Sequence, residues 1–130
     1  LQPSGADHVL AIGGASTKRA YRSEAAVFDV SDPAAPDETA RAHWGNASVY
    51  GDTPAYLTWD AERRTALSVA SKPASGGGVA ILQVQEDGSA TTKFISTGTG
   101  WSVTESTRLV LLDDGRVVAT DRKQSRFLTW

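Results

Sequence analysis

An internal repeat limits what this chain can fold into more than any other feature. Ala26-Val27-Phe28-Asp29-Val30-Ser31 aligns with Ala80-Ile81-Leu82-Gln83-Val84-Gln85 at an offset of 54 residues, and an acidic turn follows each, Asp32-Pro33 in one and Glu86-Asp87-Gly88 in the other. Upstream, His8-Val9-Leu10-Ala11-Ile12 falls opposite Thr65-Ala66-Leu67-Ser68-Val69, and Arg116-Val117-Val118-Ala119-Thr120 makes a third copy. Similarity at a fixed period marks a chain assembled from units that bury their apolar faces only by stacking on one another. The spacing, about 50 residues, is that of one four-stranded unit in arrays of this kind.

The units are made of strands. Short runs rich in Val, Ile, Ala and Thr lie at residues 8–12, 24–30, 38–43, 55–59, 65–70, 78–85, 90–96, 107–112, 116–120 and 126–130, with turn residues between them. No window carries the 3.6-residue apolar stripe of a helix. Asp87-Gly88 and Asp114-Gly115 supply the positive φ that tight hairpins demand, and Ser31-Asp32-Pro33 opens a turn with a fixed φ. Longer loops are expected at 13–23, 44–54 and 71–77, the last rich in Gly and Ser. Even spacing of short strands suits a sandwich, barrel or propeller, and the repeat selects the last. The expected fold is all-β: a β-propeller segment of about two and a half four-stranded antiparallel blades. It forms a single partial domain over residues 1–130, with blade boundaries near 45–54 and 98–106. Residues 125–130 stand where 26–31 and 80–85 stand, so the third blade is expected to stop before its outermost strand.

Composition narrows the function classes. Hydrophobic residues make up 40% and charged residues 22% of the chain, which is globular, and the 13 Lys and Arg are interspersed with 15 Asp and Glu. Nucleic acid or an anionic membrane surface would favour a clustered basic patch, so neither is an expected partner. No apolar run approaches the roughly 20 residues of a membrane helix. Cysteine is absent, which removes disulfides, thiolate metal sites and cysteine nucleophiles together.

Three pieces of the sequence carry a family resemblance. They are Val27-Phe28-Asp29-Val30-Ser31-Asp32-Pro33-Ala34-Ala35-Pro36, then Ala55-Tyr56-Leu57-Thr58-Trp59-Asp60 leading into Ala66-Leu67-Ser68-Val69, then Gly78-Val79-Ala80-Ile81-Leu82-Gln83-Val84. In order and spacing they resemble the later blades of the secreted β-propeller domain proteins of bacteria and archaea, a family distantly related to WD40 repeats. The resemblance implies an exported or surface-attached protein with more blades than this chain supplies. It also implies that the open sheet edges are covered by remaining blades of a parent chain, by a companion chain or by a homo-oligomer.

Catalytic signatures are sparse. There is no Gly-x-Ser-x-Gly elbow and no Ser-x-x-Lys pair, and His8 and His43 lack metal-ligand spacing. Acidic residues gather at Asp29/Asp32, Asp60/Glu62, Glu86/Asp87 and Asp113/Asp114. Paired carboxylates can bind calcium or act as acid and base, but Asp at such places ordinarily builds turns. No cofactor, metal ligand or catalytic residue is therefore assigned. The expected binding residues are the loop aromatics Trp44, Tyr50 and Trp101, because rigidly mounted aromatic rings offer large contact area at small entropy loss. A non-enzymatic extracellular scaffold for protein or glycan is the favoured function. The alternatives are a structural subunit that completes a propeller with a companion chain, and a carboxylate-based hydrolase propeller.

Overall fold

The computed structural model describes residues 2–4, 6–17, 20–50, 56–98 and 107–130. Among these every long element is a strand, and the strands form three antiparallel sheets in chain order. In the first, β1 (Gln2–Pro3), β2 (His8–Thr17), β3 (Ala20–Asp29) and β4 (Asp37–His43) lie side by side in sequence order. The second runs β5 (Ser48–Val49), β7 (Thr65–Lys72), β8 (Gly76–Val84), β9 (Ala90–Ser96), with β6 (Leu57–Asp60) pairing β7 as well. The third holds β10 (Arg108–Leu111), β11 (Val117–Thr120) and β12 (Ser125–Leu128). Among the described residues there are thus a four-stranded sheet, a five-stranded one in which β5 and β6 share one edge of β7, and a three-stranded one, the partial propeller that the repeat implies.

Period-2 alternation explains how the sheets stack. On β7, Ala66 and Ala70 point toward the first sheet, whereas Leu67 and Val69 point toward the third. On β8, Ala80, Leu82 and Val84 take the first side and Val79 and Ile81 the other. Both faces of the middle sheet are therefore apolar, and it is the filling of a three-layer stack. One core joins it to Leu10, Ala25 and Val27 of the first sheet, and a second joins it to Leu109, Val117, Ala119 and Leu128 of the third. Each fully buried Leu, Ile or Val contributes about 1.5–3 kcal/mol.

Polar contacts fix the angle between neighbours. Val49 N–H donates to the buried Ser23 Oγ at 2.7 Å and Thr92 Oγ1 to the His43 carbonyl at 2.9 Å, tying the first two sheets. Thr58 Oγ1 donates to the Leu109 carbonyl at 3.3 Å and Arg63 to the Asp113 carbonyl at 2.6 Å, tying the second to the third.

The hairpin chemistry is as the sequence implies. Gly88 and Gly115 have φ of +82° and +84°, and Asp87 and Asp114 accept from the backbone N–H two residues on at 2.9 and 3.0 Å. The three expected long loops are shorter than the sequence suggests. Residues 13–23 are largely strand: the β2/β3 ladder continues from His8↔Asp29 to Thr17↔Ala20. Gly13 and Gly14 have little strand preference of their own, but Glu24 and Ser23 opposite supply the pairing. The 44–54 segment contains β5, and 71–77 contracts to a turn at 73–75 because Ser71 and Lys72 pair with Gly77 and Gly76. The first sheet gives way to the second across residues 44–47, and the second to the third between Ser96 and Arg108.

Candidate binding site at a break in the first strand of the middle sheet

Strands β5 and β6 occupy the same edge of β7. Ser48 and Val49 pair with Ser71 and Ala70, and Tyr50 N–H then donates to the Val69 carbonyl at 3.0 Å. Leu57 resumes the ladder opposite Ser68, the very next residue of β7. The ladder along this edge of β7 thus passes from Tyr50 to Leu57 at consecutive β7 residues, Val69 and Ser68.

Tyrosines mark both sides of the opening. Tyr50 is 37% exposed, and its ring meets that of Tyr56 edge to face, with centroids 6.4 Å apart and planes at 79°. The Tyr50 hydroxyl lies 3.3 Å from Ser71 Oγ, so the phenol is oriented at its polar end too. Tyr56 packs against the second core and is partly buried. Anchored this way, the pair offers an aromatic edge, a phenol and a serine hydroxyl on a rigid support, a combination that binds amphipathic groups such as sugars and peptide side chains. Residues 51–55 lie outside the described set.

The other two expected aromatics fare differently. Trp44 is 4% exposed, and its indole N–H donates to the Ile81 carbonyl at 2.9 Å. It sits where the chain crosses from the first sheet to the second, and its ring is part of the core between them. Trp101 lies outside the described residues. Tyr56 and Ser71 were not singled out from sequence. The signal for Tyr56 was its place six residues after Tyr50, across a Gly-Asp-Thr-Pro segment.

Among the described residues, the carboxylates with shifted pKa values in turns are each held by neighbours in their own turn. Asp29 is held below the usual carboxylate range by the Ser31 N–H, Asp60 by the N–H and guanidinium of Arg63, and Asp87 by the Ser89 hydroxyl and N–H. Asp114 is lowered by the Arg116 guanidinium and N–H, and Asp121 by the Lys123 N–H. Each is spent on its own turn. A general acid at neutral pH needs the opposite shift. His43 is exposed at the end of β4, and among the described residues no three His, Asp or Glu side chains gather as a metal-binding group.

A protein-family model described as a beta propeller domain matches residues 1–126 of the chain. No curated protein and no solved structure matches it.

Proposed function

The chain belongs to the β-propeller domain family, and from that premise we propose that it is a non-enzymatic scaffold outside the cell that holds a protein or glycan ligand at the Tyr50–Tyr56 opening. A propeller is an interaction-scaffold kind of fold: strands stack into a rigid support and the segments between them meet partners. The observation that carries the reading is the edge-to-face tyrosine pair flanking an opened first strand. Strands at that position lie nearest the axis of a propeller, and β6 there touches β10 of the next blade through Thr58 and Leu109. The turn-bound, low-pKa carboxylates favour binding over hydrolysis. Display outside the cell rests on the family resemblance of the three sequence pieces.

The test is binding of the purified chain to an array of immobilised oligosaccharides and short peptides, with Tyr50→Ala alongside. A binding hot spot of this type costs at least about 1.4 kcal/mol when truncated, so affinity for any bound probe should fall about tenfold or more. An unchanged profile in Tyr50→Ala removes the tyrosine pair from the function.

A further inference from the structure

The seam between the first and middle sheets holds a hollow that the stack does not fill. At one end of the strands the β1/β2 turn meets the β6/β7 and β8/β9 turns, and Ser4, Asp7, His8, Arg64, Val84 and Glu86 line a space of about 190 Å³. A sheet stands on either side of it. The β1/β2 register runs from Gln2↔Leu10 to Pro3↔Val9, so β1 approaches this turn from the far end of the strands. The matching place between the middle and third sheets is bridged. There the Arg63 guanidinium donates to the Asp60 carboxylate at 2.7 Å and to the Asp113 carbonyl at 2.6 Å. The repeat that sets Thr65 opposite His8 sets Arg63 opposite Ala6, whose methyl group spans nothing.

Two departures from local rules sit at this hollow. The repeat also sets Arg64 opposite Gly115, and both backbones have positive φ, +49° and +84°. That region is uncommon for a residue with a side chain, and among the described residues Arg64 is the one such case other than glycine. A hydrogen bond from the Val84 N–H to the Arg64 carbonyl, 3.0 Å, holds it there. Glycine would close the turn without strain, and strain of this kind is kept where a side chain is needed. The second departure is Ser4, whose Oγ is shut off from solvent and makes no hydrogen bond, a state that costs stability.

Charge selects what fits. The Arg64 guanidinium reaches the Glu86 carboxylate at 4.0 Å and the Glu86 side chain is 94% exposed, so the pair is loose and contributes little. Asp7 adds a second carboxylate to the lining. A simple anion meets two carboxylates there, and a simple cation meets the guanidinium. A molecule with both charges a few bonds apart satisfies both. Its carboxylate takes the Arg64 fork in two parallel hydrogen bonds, its ammonium faces Asp7 and Glu86, and a polar atom at the Ser4 side gives that hydroxyl a partner. The buried Val84 adds a short apolar wall. Cavities of about 150 Å³ take up benzene, so the space suits a ligand of about that size.

We propose that this seam is a second binding site, for a small zwitterion of the free α-amino acid class, with Arg64 as the carboxylate-binding residue. It shares no residue with the Tyr50–Tyr56 opening, and its failure leaves the ligand reading of that opening standing.

The probe is L-alanine, set beside alaninamide, which keeps the ammonium and loses the carboxylate, and N-acetylalanine, which does the reverse. Titrated into the isotope-labelled chain, L-alanine should shift the backbone amide resonances of Asp7, His8, Arg64 and Val84 saturably. Each analogue should bind about tenfold or more weakly, as the loss of a charged hydrogen-bonding group requires. Arg64→Gly should weaken L-alanine by a similar factor and leave the thermal midpoint close to that of the unaltered chain, since glycine suits the positive φ. That separates loss of the guanidinium from loss of the fold, and the three-probe comparison needs no variant at all. The proposal is overturned by L-alanine that gives no saturable shift at the seam, by equal binding of all three probes, or by a folded Arg64→Gly that binds as the unaltered chain does.

Discussion

The middle and the third sheets are built from nearly the same strand pattern and end in different environments. In β7 the six residues from Thr65 to Ala70 are all buried, whereas in β11 buried and half-buried residues alternate from Val117 to Thr120. Nothing in Leu67-Ser68-Val69 against Val117-Val118-Ala119 foretells this. The difference is the number of neighbours: among the described residues, β7 packs against a sheet on each side and β11 against one. In a stacked repeat, burial is therefore a property of position in the array more than of the strand.

Substitutions can break that comparison or sharpen it. Ile81 is 1% exposed in the second core, and Ile81→Ala should lower unfolding free energy by about 2–5 kcal/mol in a urea titration. A loss as small as that of a surface substitution would erase the distinction between middle and outer sheets. Gly78 comes next: a Cβ there meets the Ile95 carbonyl and the Phe94 ring in close overlap. Gly78→Ala should cost about 1–3 kcal/mol through overpacking, seen in the same titration.

Acid should act mainly at the turns. Asp29, Asp60, Asp87, Asp114 and Asp121 all have folded-state pKa values below their ordinary ones. Their stabilisation is then fully present at neutral pH and is lost as pH falls through and below the usual carboxylate range. Thermal unfolding midpoints should decline over that window, and Asp114→Asn should flatten the decline slightly. The smallest effect belongs to Phe127→Ser, which should shift stability by no more than about 0.5 kcal/mol. A large loss there would mean that Phe127 supports its own sheet, which would remove the contrast with Ile81.

The sequence made the repeat, the all-β class and the Asp-Gly hairpins legible, because each is written in local chemistry. Gly88 and Gly115 need only their own backbone freedom to define a turn. What stayed hidden depended on partners far along the chain. Gly13 and Gly14 look like loop until Ser23 and Glu24 are set opposite them. Trp44 looks like a loop anchor until the Ile81 carbonyl, 37 residues on, takes its N–H. Tyr50 was visible as an aromatic between strands. Its pairing with Tyr56 was not, because the opening that brings them together is defined only by the ladder of β7.

That opening separates two properties that proteins usually trade against each other. Tyr50 and Leu57 engage Val69 and Ser68, which are consecutive, so the sheet takes no account of how many residues lie between them. A longer insertion between Tyr50 and Leu57 would cost only the slow logarithmic growth of loop-closure entropy, about 0.6 kcal/mol per doubling. The position behaves as a socket: its contents can be rewritten, and a recognition surface can diverge, while every strand of the stack keeps its register.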